Sequence, residues 1–141
     1  MTLPYSPASV PQANVDDAMQ VQITPALLDA DALANLAQLD PTGANRLMRR
    51  VFTTYRSSMT RLLAQLAQAR AQPDPTGQRL VAHTLKSSSA SVGALALSQL
   101  CSDAEKALRE GRLDVVPALL DQLVAEAARV DAAVLQLLAD E

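Results

Sequence analysis

Residues 45–71 read NRLMRRVFTTYRSSMTRLLAQLAQARA, and within them Met48, Phe52, Tyr55, Met59, Leu62, Leu66 and Ala69 follow one another at alternating intervals of four and three. At about 100° per residue, that alternation keeps the apolar side chains on one stripe of a helix, a stripe that must be buried against other helices. Its aromatic and methionine side chains are packing residues and imply no cofactor. Residues 95–110 repeat the alternation through Leu97, Cys101, Ala104 and Leu108. The C-terminal stretch does so again through Val116, Leu120, Leu123, Ala127, Val130, Val134 and Leu137. Composition points the same way: 26 Ala and 23 Leu favour helix, whereas the three aromatic residues fall far short of what strands use.

The breaks between these stripes are equally informative. Asp40-Pro41-Thr42-Gly43 is a turn, and Pro73-Asp74-Pro75-Thr76 interrupts the chain, with Asp74 or Thr76 as the N-cap of a helix over 76–91. Gly93 separates that helix from the one over 95–110. Gly111 stops the latter, Asp114 can cap the last helix, and Pro117 falls in its first turn, where a missing N–H costs nothing. A shorter helix follows Thr24 and Pro25, offering Leu28, Leu33, Leu36 and Leu39 for packing. Four long amphipathic helices joined by short loops favour antiparallel neighbours. The expected fold is therefore all-α, an antiparallel up-down four-helix bundle with a short additional N-terminal helix. Residues 25–141 would form this domain, and residues 1–24, with Pro4, Pro7 and Pro11 among small and polar residues, read as a flexible arm or linker.

Several function classes are disfavoured. Twelve basic and fifteen acidic residues leave a formal charge of −3, which carries no nucleic-acid footprint. The lone Cys101 cannot form an internal disulfide and reads as a small core residue, and no Cys/His cluster suits a metal. With one histidine in the chain, neither paired Glu-x-x-His ligands nor a haem attachment motif is available. No stretch approaches the length needed to cross a bilayer and the start does not resemble a signal peptide, so a soluble, cytoplasmic, monomeric protein is expected.

That one histidine, His83, lies in the helix over 76–91. Placing it at 0° on a helical wheel puts Val81, Leu85, Ser88 and Val92 on the far, buried side, and Arg79, Lys86, Ser87 and Ala90 within about 60° of the imidazole. The ring is thus expected to face solvent with low neighbours and two cations at its rim. Lys86 stands out because the chain uses ten Arg and only two Lys.

The residues around His83 form a longer pattern: Ala82-His83-Thr84-Leu85-Lys86-Ser87-Ser88-Ser89, then Val92-Gly93-Ala94, then Leu97, Leu100-Cys101 and Glu105. This pattern closely resembles the signature of histidine-containing phosphotransfer (HPt) domains across 74–111, and the flanking helices agree in length and order. The resemblance implies a four-helix bundle whose exposed histidine, here His83, accepts a phosphoryl group from the aspartyl phosphate of one receiver domain and passes it to the aspartate of another. It implies Lys86 as a charge-compensating group, with Ser87 beside it. The partners would be response-regulator receiver domains and a hybrid sensor histidine kinase. Receivers carry the Mg²⁺, so the chain itself needs no cofactor and is a phosphocarrier without autonomous catalytic activity. Ser87 stands where the family usually has Gly, one turn after the histidine, where a small residue leaves room for an incoming active site. Its hydroxyl can also donate to a phosphoryl oxygen. Ser87, Ala90, Arg79 and Leu80 are the docking candidates around the ring.

Two other readings stay open at this point. A histidine kinase dimerisation domain also exposes a helical histidine, but an acidic residue normally follows it, whereas Thr84 follows here, and no Gly-rich nucleotide-binding box is present. A helical adaptor that binds receivers without transferring phosphate differs from the relay reading only in the use made of His83 and Lys86.

Overall fold

The computed structural model describes residues 27–43 and 46–140, and every regular element among them is helical. We number the helices α1 (Ala30–Gln38), α2 (Leu47–Ala71), α3 (Pro75–Ser91), α4 (Leu95–Arg109) and α5 (Val116–Ala139). The break before α3 resolves in favour of Asp74: the Gly77 N–H donates to its carboxylate at 3.0 Å, and Pro75 occupies the first turn without forfeiting a hydrogen bond. Asp29 caps α1 in the same way, accepting from the Ala32 N–H at 3.0 Å. Asp40 reaches further and accepts the Leu47 N–H at 3.1 Å, closing the turn that leads into α2.

The stripes read from the sequence are the core. Phe52, Tyr55, Met59, Leu62, Leu66 and Ala69 of α2 are buried, as are Leu97, Cys101, Ala104 and Leu108 of α4 and Val116, Leu120, Leu123, Ala127, Val130 and Val134 of α5. Each large apolar side chain so removed from water stabilises the fold by about 1.5–3 kcal/mol before chain entropy is counted. Each long helix packs on its sequence neighbours, and α5 returns to α2, which closes the four into a ring. Side chains along the closing seam show its antiparallel register. Arg49 donates to the Leu138 carbonyl at 3.1 Å, Arg56 pairs with Asp131 at 2.7 Å, and Arg70 pairs with Asp121 at 2.9 Å. The structure is thus an antiparallel four-helix bundle with a short leading helix.

Gly93 ties that leading helix to the bundle. Its φ of +84° suits glycine, its carbonyl accepts the Asp29 N–H at 2.7 Å, and an added Cβ would come within 2.9 Å of the Ala32 Cβ. The α3–α4 corner is therefore packed against the start of α1, and Leu28 is buried there with the core.

Three sequence expectations are corrected. Asp114 does not cap α5: the cap position is Val115, with no side-chain hydrogen bond, because residues 113–115 complete a turn and leave Asp114 one position too early. Ser88 is only half-buried, and Ala82 and Ser89 take places in the core instead. Leu39 is largely exposed beyond the end of α1, whereas Met48 and Leu137, at the ends of their stripes, are half-buried and pack against the core. The short helix begins at Ala30, after the Asp29 cap, whereas Thr24, Pro25 and the whole arm over 1–24 lie outside the described residues.

Candidate functional site

Helices α3 and α4 form an antiparallel hairpin about Gly93, and this pairing builds the surroundings of His83. Ala82 and Ala104, adjacent in sequence to His83 and Glu105, are fully buried, and such small side chains let two helices lie close. The Ser98 hydroxyl donates to the Lys86 carbonyl at 2.9 Å across the same seam. Behind the site, the Tyr55 and Ser89 hydroxyls bond at 2.8 Å inside the core, and the Gln78 amide donates to the Ala69 carbonyl at 3.1 Å. These bonds fix α3 against α2 and satisfy polar groups whose burial would otherwise be costly.

On the outer side of α3 the His83 side chain is 60% exposed, and its Nδ1 lies 2.8 Å from Glu105 Oε2. The other oxygen of the same carboxylate, Oε1, accepts from Lys86 Nζ at 2.6 Å. Glu105 thus bridges the histidine and the lysine from the neighbouring helix, with its own side chain only 13% exposed. The Lys86 ammonium holds the Glu105 carboxyl below the usual carboxylate range; partial burial opposes this, and His83 adds to the lowering. An ionised carboxylate facing Nδ1 favours the tautomer with the proton on that nitrogen. Nε2, which has no partner among the described residues, then carries the free lone pair of a ring largely open to solvent.

The other expected residues distribute as follows. Arg79 and Leu80 line one shallow concavity with Thr76, His83 and Glu105, and Leu80 is 65% exposed. Ser87 is exposed one turn beyond the histidine, and Lys86 is half-buried against Glu105. Ala90 is exposed but belongs to a separate depression between α3 and α1, with Ala32, Leu36 and Leu39. Cys101 is buried, and burial pushes its thiol up to about 12, as befits a packing residue. Among the described residues no group of His, Cys, Asp and Glu is placed to hold a metal ion, and no helix is long and apolar enough to cross a membrane.

Glu105 is the residue whose part the sequence did not disclose. It appears in the pattern only as an acidic position after Cys101, and its distance of 22 residues from His83 hides the contact. The available signal was its place beside the Cys101–Ala104–Leu108 stripe, where a carboxylate at the edge of a core needs a partner on the next helix.

Comparison with known proteins agrees with this geometry. The model of the Hpt domain family matches residues 50–133, more than half of the chain and a span that includes His83, Lys86 and Glu105. A comparison with curated proteins gave no match. The crystal structure of histidine-containing phosphotransfer protein B (HptB) from Pseudomonas aeruginosa PAO1 is similar, with a TM-score of 0.73 and 27% sequence identity over 82% of this chain and 96% of that one. A bundle of this order, the match to the family model and the likeness to a solved phosphotransfer protein lead to one conclusion: the chain belongs to the Hpt domain family.

Proposed function

We propose that His83 is the phosphoacceptor of a relay in which this chain takes a phosphoryl group from the aspartyl phosphate of one receiver domain and gives it to an aspartate of another. The observation that carries the reading is the bridge from Glu105, which occupies Nδ1 and leaves Nε2 exposed. In the forward step the Nε2 lone pair attacks phosphorus, the P–O bond to the donor carboxyl breaks, and the donor aspartate leaves as carboxylate. The ring keeps its Nδ1 proton and becomes cationic, so the Glu105 carboxylate offsets the charge that develops. Lys86 offsets the charge of the phosphoryl oxygens, and the Ser87 hydroxyl is a donor one turn away. The return step is the same exchange in reverse on a second receiver.

Phosphoryl transfer depends chiefly on positioning and electrostatic compensation, so a nucleophile, a carboxylate and a cation are sufficient on this side of the encounter. Mg²⁺ and the acidic residues that hold it belong to the receiver. The chain is then a phosphocarrier with no turnover of its own, and its partners are receiver domains, including one attached to a sensor kinase. Arg79 and Leu80 rim the site and, with Ala90 further along α3, are the surface a receiver meets. To test this, the chain is incubated with a receiver phosphorylated by acetyl phosphate and then with a second, unphosphorylated receiver. The expected result is an acid-labile label on the chain that moves to the second receiver. A stable complex with no label would instead establish the adaptor reading.

A further inference from the structure

We propose that Arg79 and Arg109 form a paired cationic clamp that selects receivers presenting an acidic loop at the rim of their active site, outside the carboxylates that hold Mg²⁺. The proposal rests on the relay reading above and adds to it a determinant of partner choice. Arg79 sits one turn before His83 on α3, and Arg109 one turn after Glu105 on α4. Because the two helices run antiparallel and His83 is level with Glu105, Arg79 is level with Arg109, about 6 Å further along the bundle. Two like charges so placed on adjacent helices repel, and bundles normally separate them or set an acid between them.

No such acid serves here. Glu105, one turn from both arginines, has one oxygen committed to His83 and the other to Lys86. Glu110, next to Arg109 in sequence, is paired with Arg112 at 3.0 Å. Both arginines are exposed, and among the described residues neither side chain has an ion pair or hydrogen bond; Arg50 and Arg61 of α2 share that condition, whereas Arg56, Arg70, Arg112 and Arg129 each have a carboxylate partner. The C-terminus of α4 accounts for a cation at Arg109 but not for one at Arg79, near the start of α3. Arg79 also lines the concavity that holds His83, so whatever docks over the imidazole meets it. A planar guanidinium pairs with a carboxylate in two parallel hydrogen bonds, and two of them side by side fit an acidic loop. Beyond His83 along α3, the exposed Ser87 and Ala90 are small and uncharged, so the charge requirement falls on one side of the incoming protein.

The test compares wild type, Arg79→Glu/Arg109→Glu and Arg79→Lys/Arg109→Lys, with helical content checked by circular dichroism. Each is labelled first with phosphoramidate, which needs no docking, and then by each member of a panel of receiver domains phosphorylated with acetyl phosphate. The clamp predicts equal labelling by phosphoramidate in all three. It also predicts at least tenfold slower transfer to the glutamate variant at low salt from receivers with an acidic loop, an intermediate rate for the lysine variant, which keeps the charge but not the paired hydrogen bonds, and a gap that narrows as salt is raised. Equal transfer from receivers to all three would overturn the clamp while leaving His83 as acceptor. A matching loss with phosphoramidate would overturn it too, by showing that the arginines act on the phosphoryl chemistry. Wild type that is labelled by phosphoramidate but by no receiver would remove the relay reading and the clamp together.

Discussion

Glu105 of α4 faces Nδ1 of His83 at 2.8 Å and Lys86 at 2.6 Å, so a single carboxylate orients the imidazole and anchors the ammonium. Neither α3 residue is held by its own helix. The position of the exposed imidazole therefore depends on the packing of α3 against α4.

The first consequence concerns Glu105→Gln. The amide oxygen can still accept one hydrogen bond, but its NH2 then faces the second donor, so the bridge is broken on one side. Transfer from a phosphorylated receiver is expected to slow by about 10–100-fold, by analogy with the loss when the hydrogen-bond partner of a metal-bound histidine is removed. Stopped-flow or quench measurements of label on the chain check this, and a rate within a factor of two of wild type would remove Glu105 from the site.

The bridge also predicts a pH dependence of stability. The folded-state carboxyl of Glu105 titrates below its ordinary 4.5, so its contribution is complete above that value and is lost as pH falls through the lower folded-state value. The Tm difference between wild type and Glu105→Gln should be constant at neutral pH and shrink below about pH 4.5. A difference that stays fixed down to pH 3 would mean that the carboxylate charge does not stabilise the fold.

Lys86→Ala removes the ammonium that pairs with Glu105 and that, in the proposed relay, compensates the phosphoryl oxygens. Transfer should slow, and the phosphorylated histidine should persist for a shorter time in the absence of a receiver, with helical content unchanged. Single-turnover kinetics and the decay of label after removal of the donor measure both quantities. Unchanged values for both would leave Lys86 as a surface residue that merely pairs with Glu105.

Ser87 stands one turn beyond His83 and is exposed. If space is what matters there, Ser87→Gly should accept phosphate at least as fast as wild type. Markedly slower transfer, measured in the same assay, would show that the hydroxyl donates to the phosphoryl group.

How much of this was legible before the structure varied with the physical origin of each feature. The stripes through Phe52, Leu97 and Leu123 are properties of single helices, so periodicity located them, and the exposure of His83 followed from the same wheel. The Asp74 cap is likewise local, a carboxylate beside its own N–H donors. The Asp114 cap failed because the register of α5 is set by the turn over residues 113–115, which backbone bonding decides and no side-chain pattern reveals. The exchange of Ser88 for Ser89 and Ala82 has a related cause: the buried arc of α3 is rotated toward α4 by its neighbours, and a wheel of one helix cannot register that. Glu105 and the Arg79–Arg109 level were hidden more deeply, since both depend on how α3 and α4 align with each other.

In the proposed relay, phosphate enters at Nε2 of His83 while Nδ1 stays protonated toward Glu105. This is tested most directly by 15N NMR of the histidine ring, before and after phosphorylation by a receiver, with His83→Gln as the control. The account predicts a phosphoryl group on Nε2, a retained proton on Nδ1, and no label on the folded glutamine variant. Phosphate on Nδ1, or label on the variant, would contradict it.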